Sequence, residues 1–200
     1  MRALILNCTL TARPEQSNTE ALVDVVAAAM RQEGIDVDVV HVADQDATPG
    51  VSDDGGDDEW SAVLALLRNA EILVIATPTW RSQPSSIAER VLERMDALIA
   101  ETDEQGRPFA YNRVGGIVVT GHEDGAHYVI AEVARSLIDI GYTVPGQAWT
   151  YWNMGPRPGP SYLETDHEHD WSERTGRTAA ANLVAVARAL AEGPMPAPAE

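Results

Sequence analysis

Short apolar runs and amphipathic stretches alternate along this chain, and that alternation most restricts what it can fold into. Residues 2–8 read RALILNC, 72–77 read ILVIAT and 116–119 read GIVV. Each run has strand length and is apolar on both sides, the pattern of a strand buried on both faces. Strands are expected at 2–8, 35–40, 71–77, 114–120 and within 142–150. Between them, 18–31 puts Ala21, Leu22, Val25, Val26 and Ala29 on one side of a helix, with Gly34 past its end. Helices are also expected at 59–69, at 85–99 with Ile87, Val91, Leu92, Met95 and Leu98 inward, at 126–140 before Gly141, and at 171–191. Such alternation predicts an α/β fold, a five-stranded parallel sheet with helices on both faces. The expected organisation is one domain over 1–191 and a disordered Pro/Ala-rich tail over 192–200. The Asp/Gly-rich segment 44–58 is expected to be a mobile acidic loop.

Composition narrows the partners. The chain has 200 residues, 44% of them hydrophobic, which suits a globular domain with a core. Its formal net charge of -17 argues against a nucleic-acid partner, because a phosphate backbone would be repelled. All 14 positive residues are arginines, and they form no basic stripe. The single cysteine, Cys8, can form neither an internal disulfide nor a thiolate cluster, and it reads as a small buried apolar residue. No stretch is long enough for a membrane span, and the first apolar run is only strand length. No membrane partner and a cytoplasmic location are therefore expected.

In a doubly wound sheet the ligand lies beyond the carboxyl ends of the strands, where strand order reverses. The loops after the first, third and fourth strands thus carry the interest. The first runs from Thr9 to Ser17-Asn18-Thr19 at a helix start. Hydroxyls and free backbone N–H groups gathered at a positive helix end suit a phosphate. The glycine-lysine phosphate loop and the three-glycine dinucleotide fingerprint are both missing. A phosphate held by hydroxyls and amides points instead to the monophosphate of a flavin, although the same residues also suit a plain helix cap.

The second loop reads TPTWRSQPSS over 77–86. Pro78 is expected to stop strand pairing, and Pro84 suits a helix entry. The intervening Thr79, Trp80, Arg81, Ser82 and Gln83 mix an aromatic ring, a guanidinium and hydrogen-bonding groups, which suits a flat heterocycle with polar edges. The third loop reads TGHEDGAH over 120–127. Gly121 allows close backbone approach, and Glu123 or Asp124 is placed to cap the next helix. The histidines here, and the run DHEHD at 166–170, match no standard zinc spacing. The acids at 53–58 fail the EF-hand spacing.

These three loops together resemble the flavodoxin-like NAD(P)H-dependent FMN reductase family, with its quinone-reductase relatives, over about residues 2–191. Thr9, Ser17, Asn18 and Thr19 resemble its phosphate loop. Pro78, Thr79 and Trp80, followed by Arg81, Ser82 and Gln83, resemble the segment lying against the isoalloxazine ring. QPSSIAERVLERM at 83–95 resembles the helix that follows, and Thr120, Gly121, Glu123, Asp124, Gly125 and Ala126 resemble the third flavin loop. The resemblance implies strand order 2-1-3-4-5, FMN as cofactor and NAD(P)H as co-substrate. It also implies a small-molecule acceptor such as a quinone or free flavin, and a homodimer or homotetramer. The flavin carries the redox chemistry, so no catalytic acid or base is assigned. Backbone amides near 80–82 and Gly121 are expected to face the polar edge of the ring.

The chain also departs from the family. Cys8-Thr9-Leu10 replaces the usual Gly-Ser start, Arg13 is inserted where it would screen the phosphate, and 152–171 has no clear counterpart. One cysteine rules out the iron–sulfur branch. A flavodoxin-type electron carrier would share the fold and the acidic surface. Finally, Trp149, Tyr151, Trp152 and Met154 precede a Gly/Pro run at 155–160. They are expected to project and to help close the flavin pocket of a dimer partner.

Overall fold

The structure is a computed structural model that describes residues 1–11, 13–45, 47–50, 59–155 and 159–198. The strands are β1 (Arg2–Asn7), β2 (Asp36–His41), β3 (Ile72–Trp80), β4 (Gln83–Pro84), β5 (Val114–Gly121) and β6 (Trp149–Asn153). The helices are α1 (Asn18–Gln32), α2 (Trp60–Asn69), α3 (Ser86–Met95), α4 (Ala126–Ile140) and α5 (His169–Glu192). The sheet runs β2-β1-β3-β5-β6, with every neighbour on that path parallel. Setting aside the two-residue β4, this is the flavodoxin-like order expected from the sequence.

Burial explains which runs became which strands. The central strands β1, β3 and β5 are buried almost along their length, so both faces are apolar. The edge strand β6 alternates half-buried and buried residues. Two cores result, one on each face. One gathers Trp60, Val63 and Leu67 of α2, Val91 and Met95 of α3, and Val129, Val133 and Leu137 of α4. The other gathers Leu22, Val26 and Met30 of α1 with Ala180, Leu183 and Val184 of α5. Strand order reverses between β1 and β3, so the carboxyl ends of β1, β3 and β5 border one crevice.

Three expectations about elements are corrected. Pro78 does not stop β3. It lies in register with Thr120 of β5, and Thr79 and Trp80 then pair antiparallel with Pro84 and Gln83. Proline lacks only the N–H, so a strand end that turns into a hairpin tolerates it. The fifth parallel strand begins at Trp149, later than the span 142–150 suggests. Pro145 and Gly146 break the run, Gln147 takes a positive φ of 54°, and Thr143 only bridges Val114. The helix expected over 85–99 is α-helical only to Met95 and continues as a 3-10 turn over Asp96–Ala100. Of the acidic loop at 44–58, residues 46 and 51–58 lie outside the described residues. In the tail, the Met195 N–H donates to Asn112 Oδ1 at 2.6 Å. Among the described residues no helix is long and apolar enough to cross a membrane.

Candidate functional site

Past β1 the chain is held open by its own side chains. Asn7 Oδ1 accepts the Thr9 N–H at 3.2 Å, and Thr9 Oγ1 accepts the Thr11 N–H at 3.3 Å. Such local bonds keep the backbone out of strand and helix and leave it facing the crevice. Helix α1 then starts at an N-cap Ser17, whose hydroxyl accepts the Glu20 N–H at 3.0 Å. Ser17 is thereby used as a cap, and Asn18 and Thr19 are the residues of this trio that reach the crevice. The Thr19 and Thr120 hydroxyls meet at 2.8 Å, tying the start of α1 to the end of β5. Cys8 is fully buried, and burial pushes its thiol far up, as suits an inert apolar filler. Arg13, expected to screen a phosphate, pairs with Asp44 at 3.3 Å.

The other side of the crevice comes from β3 and β5. Ser85 caps α3 by accepting the Ala88 N–H, and its hydroxyl donates to the Cys8 carbonyl at 2.7 Å. Its own N–H donates to Thr77 Oγ1 at 3.0 Å. Thr79 is 6% exposed, and its hydroxyl is buried with no hydrogen-bond partner. Gly121 stands against it. A Cβ built there would lie 2.2 Å from Thr79 Cγ2, so only glycine lets β5 close onto β3 at this point. Trp80, 53% exposed, reaches the mouth. Next comes the hairpin tip, Arg81 and Ser82, with positive φ values of 51° and 57°. The Arg81 N–H donates to Glu123 Oε1 at 3.3 Å, and Gly125 (φ 110°) leaves the room that Ser82 needs.

Between these sides lies a cavity enclosing about 100 Å³ and opening to solvent. Of the residues singled out from the sequence, Thr9, Asn18, Thr19, Pro78, Thr79, Trp80, Thr120 and Gly121 line it. Arg81, Ser82 and Glu123 form its rim hairpin and brace. Gln83 pairs with Trp80 in β4, Asp124 packs against Gly155, Gly125 serves Ser82, and Ala126 is buried in the core under α4.

Leu10, Thr11, His122, Trp152, Ser161 and Tyr162 also line the cavity and were not singled out as cofactor ligands. The first three sit inside loops the sequence did mark. Ser161 and Tyr162 belong to a strap that crosses the crevice beside the start of α1. The strap is held by a capping box between Ser161 and Glu164, and by Asn18 Oδ1 accepting the Leu163 N–H at 3.0 Å. The Ser-x-x-Glu spacing was the one available signal, and it marks a turn without saying where the turn docks. Tyr162 stacks on His169 with ring centroids 3.8 Å apart, and His169 Nε2 lies 2.9 Å from the Tyr162 carbonyl. Burial raises the Tyr162 phenol above its ordinary range, so it stays protonated. Two residues of the run DHEHD thus serve packing: His169 holds Tyr162, and the His167 carbonyl accepts the Trp152 Nε1–H at 2.6 Å.

The expectation that Trp149–Met154 projects from the fold is corrected, because residues 149–153 form the edge strand β6. Trp152 is 2% exposed and lines its own chain's cavity. On the opposite face of β6, Trp149 and Tyr151 cluster with His127, and Tyr151 meets Trp171 at 4.9 Å. Trp149, Tyr151 and Trp171 are left half-buried on this face.

Comparison with known proteins agrees with this geometry. The chain is 38% identical over 207 aligned residues to 8-demethyl-8-aminoriboflavin-5'-phosphate synthase of Streptomyces davaonensis, covering 97% of this chain and 80% of that one. It is 36% identical over 198 residues to divalent metal cation transporter MntH of Mycobacterium bovis, but there it spans only 29% of the longer protein while 95% of this chain is matched. A crystal structure of RosB with a bound intermediate, 8-demethyl-8-formylriboflavin-5'-phosphate, superposes with a TM-score of 0.92 at 35% identity, covering 98% of this chain and 82% of that one. The model of the NADPH-dependent FMN reductase family matches residues 1–155, which hold the strand ends, the three loops and most of the cavity lining. This chain belongs to the NADPH-dependent FMN reductase family.

Proposed function

We propose that this protein is an FMN-dependent oxidoreductase that takes a hydride from NAD(P)H and passes electrons to a small acceptor, a quinone or free flavin. The observation that carries the reading is the composition of the cavity at the switch point. Among the described residues no lysine or arginine lines it, and its polar groups are hydroxyls, the Asn18 amide, the His122 imidazole and the first turn of α1. Thr79 brings a buried hydroxyl that lacks a partner until a ligand supplies one. This set fits FMN. Thr9, Thr11, Asn18 and Thr19 would hold the phosphate, and Thr79, Trp80 and Gly121 would lie along the ring system. FMN, when bound, supplies the hydride-accepting centre.

The chain's own residues hold, orient and shield. The N-terminus of α1 favours the anionic end. Hydrogen bonds to a charged group contribute about 1.5–3 kcal/mol each, so a few of them give a phosphate substantial hold by themselves. The Gly121–Thr79 approach fixes the spacing of β3 and β5. Trp152 and Tyr162 keep water from the strap side. The enclosed space is smaller than the ~300–1,000 Å³ of typical ligand pockets, which leaves part of a bound flavin open to a second substrate. That openness, and the family match, favour an enzyme over a carrier.

The test is direct. FMN fluorescence is titrated with protein, riboflavin being the control without phosphate, and the complex is mixed with NADPH or NADH in a stopped-flow instrument. Quenching of FMN at lower protein concentration than riboflavin, followed by bleaching of the flavin band, is the expected result. Unquenched FMN removes the proposal, and quenching without bleaching by either donor returns the protein to the carrier class.

A second reading has its own support. The Streptomyces relative, by its name, makes a modified riboflavin phosphate, and the likeness to it continues past residue 155 through the strap that the family match leaves out. On this reading the flavin phosphate is itself transformed. Chromatography and mass spectrometry of FMN recovered after turnover separate the two: unchanged FMN supports the oxidoreductase, and a new flavin mass supports the second reading.

A further inference from the structure

The hairpin tip at the cavity mouth is built at a conformational cost. A two-residue hairpin of type I′ needs φ > 0 at both central positions and favours Asn-Gly there. Here the two positions are Arg81 and Ser82, both carrying side chains. Residues are kept in such conformations only where the surroundings enforce them, and those places are often functional. The enforcement is visible. Glu123 accepts the Arg81 N–H, and a Cβ on Gly125 would come within 2.4 Å of the Ser82 hydroxyl oxygen, so the third loop is moulded to the hairpin.

The tip exposes an aromatic ring and a cation side by side. Trp80 is 53% exposed at the mouth of the cavity, and Arg81 is exposed next to it. Among the described residues most arginines engage a carboxylate or a carbonyl, while the Arg81 guanidinium engages neither. Arg174 shares that state, but it lies in a hollow lined by Asp166, Glu168 and Asp170. Glu123 is the acid beside Arg81, and its carboxylate is occupied by the backbone N–H. A chain of net charge -17 repels anionic substrates from most of its surface. An unpaired guanidinium at the mouth therefore decides where such a substrate can approach.

We propose that Arg81 docks the second substrate, a nicotinamide dinucleotide, at the cavity mouth by binding one of its phosphates. This rests on the reading of the cavity as the FMN site and adds the residue that brings the hydride donor to it. A guanidinium matches phosphate oxygens two at a time, so lysine replaces it only in part.

The experiment is calorimetric titration of NADPH and of NADH into wild type, Arg81→Gln, Arg81→Lys and Arg81→Glu, each with and without FMN, at low and high ionic strength. FMN affinity is measured separately by fluorescence. Arg81→Gln should weaken the dinucleotide about tenfold, or about 1.4 kcal/mol, with FMN affinity within about twofold of wild type. Arg81→Lys should fall between the two, Arg81→Glu should be weakest, and the salt dependence should shrink when the cation is lost. Equal losses for NADH and NADPH place the pyrophosphate on Arg81, whereas a loss confined to NADPH places the 2′-phosphate there. Wild-type affinity and salt dependence in the Gln and Glu variants overturn the proposal, as does a wild-type protein that binds FMN but neither dinucleotide. Failure of wild type to bind FMN is a different result, and it removes the cavity reading itself.

Discussion

The two walls of the cavity are made differently. One consists of the ends of β1, β3 and β5 with their loops, and it falls inside the 1–155 span that the family model matches. Much of its geometry is local: side chains bond backbone two or three residues away, Ser17 and Ser85 cap helices, and bonds such as Thr19 to Thr120 and Ser85 to Cys8 then tie the loops together. The other wall, Ser161 and Tyr162 on the strap, lies beyond that span. It is docked by a distant contact, Leu163 to Asn18 across 145 residues, and by Tyr162 stacking on His169 at the start of α5. A wall set by local chemistry suits what a whole family shares. A wall set by a late, separately anchored segment can change without disturbing the sheet.

Substitutions test whether the walls are as independent as this. The largest effect is expected for Gly121→Val on the shared wall. The new side chain meets Thr79, and overpacking of this kind costs about 1–3 kcal/mol of stability. FMN affinity should drop by at least a hundredfold, read by fluorescence titration beside a thermal melt. Tyr162→Ala on the strap should cost less. Losing its ring contacts removes about 1.5 kcal/mol, roughly tenfold in FMN affinity, with the sheet's melting transition nearly kept. If Tyr162→Ala lowered the melting temperature as far as Gly121→Val does, the strap would be part of the core and the comparison would fail.

Thr79→Val gives a smaller change with a diagnostic sign. It removes a buried hydroxyl that lacks a partner, so the ligand-free protein should gain up to about 1 kcal/mol, while FMN binds several-fold more weakly. A loss of stability without a loss of affinity would show that the hydroxyl serves the fold.

The smallest effect is acid sensitivity of the strap. The Ser161 backbone N–H, then its hydroxyl, hold the Glu164 carboxyl below its ordinary range, with a further contribution from His122. A lowered folded value means that the strap is supported above the ordinary carboxylate range and loses that support as pH falls through the lowered value. FMN affinity should therefore weaken by about two- to threefold on acidification, as for other exposed charge interactions. Glu164→Gln should abolish that step.

Much of the shared wall was legible in the sequence because its causes are short-range. A buried strand followed by Ser-Asn-Thr announces a helix start at the crevice, and the lining residues foreseen all lie within two residues of a strand end or on the first turn of α1. Pro78 was misread because a proline signals a missing N–H and says nothing of the hairpin that takes over the pairing. The strap was not legible. Nothing near Tyr162 indicates that it docks beside Asn18, since that contact exists only after α5 packs against α1. The aromatic residues of β6 misled for a related reason. Composition suggested exposure, but burial depends on neighbours such as His127 and Trp171 that the strand meets only in the folded chain.

Ser85 joins three parts of the site through one residue: its hydroxyl holds the Cys8 carbonyl and the first turn of α3, and its N–H holds Thr77. The backbone leaving β1 and the backbone entering α3 thus cannot be displaced separately without breaking a buried bond. A displacement at either loop is therefore carried to the other, and the exits of β1 and β3 act as a single mechanical unit at this edge of the sheet.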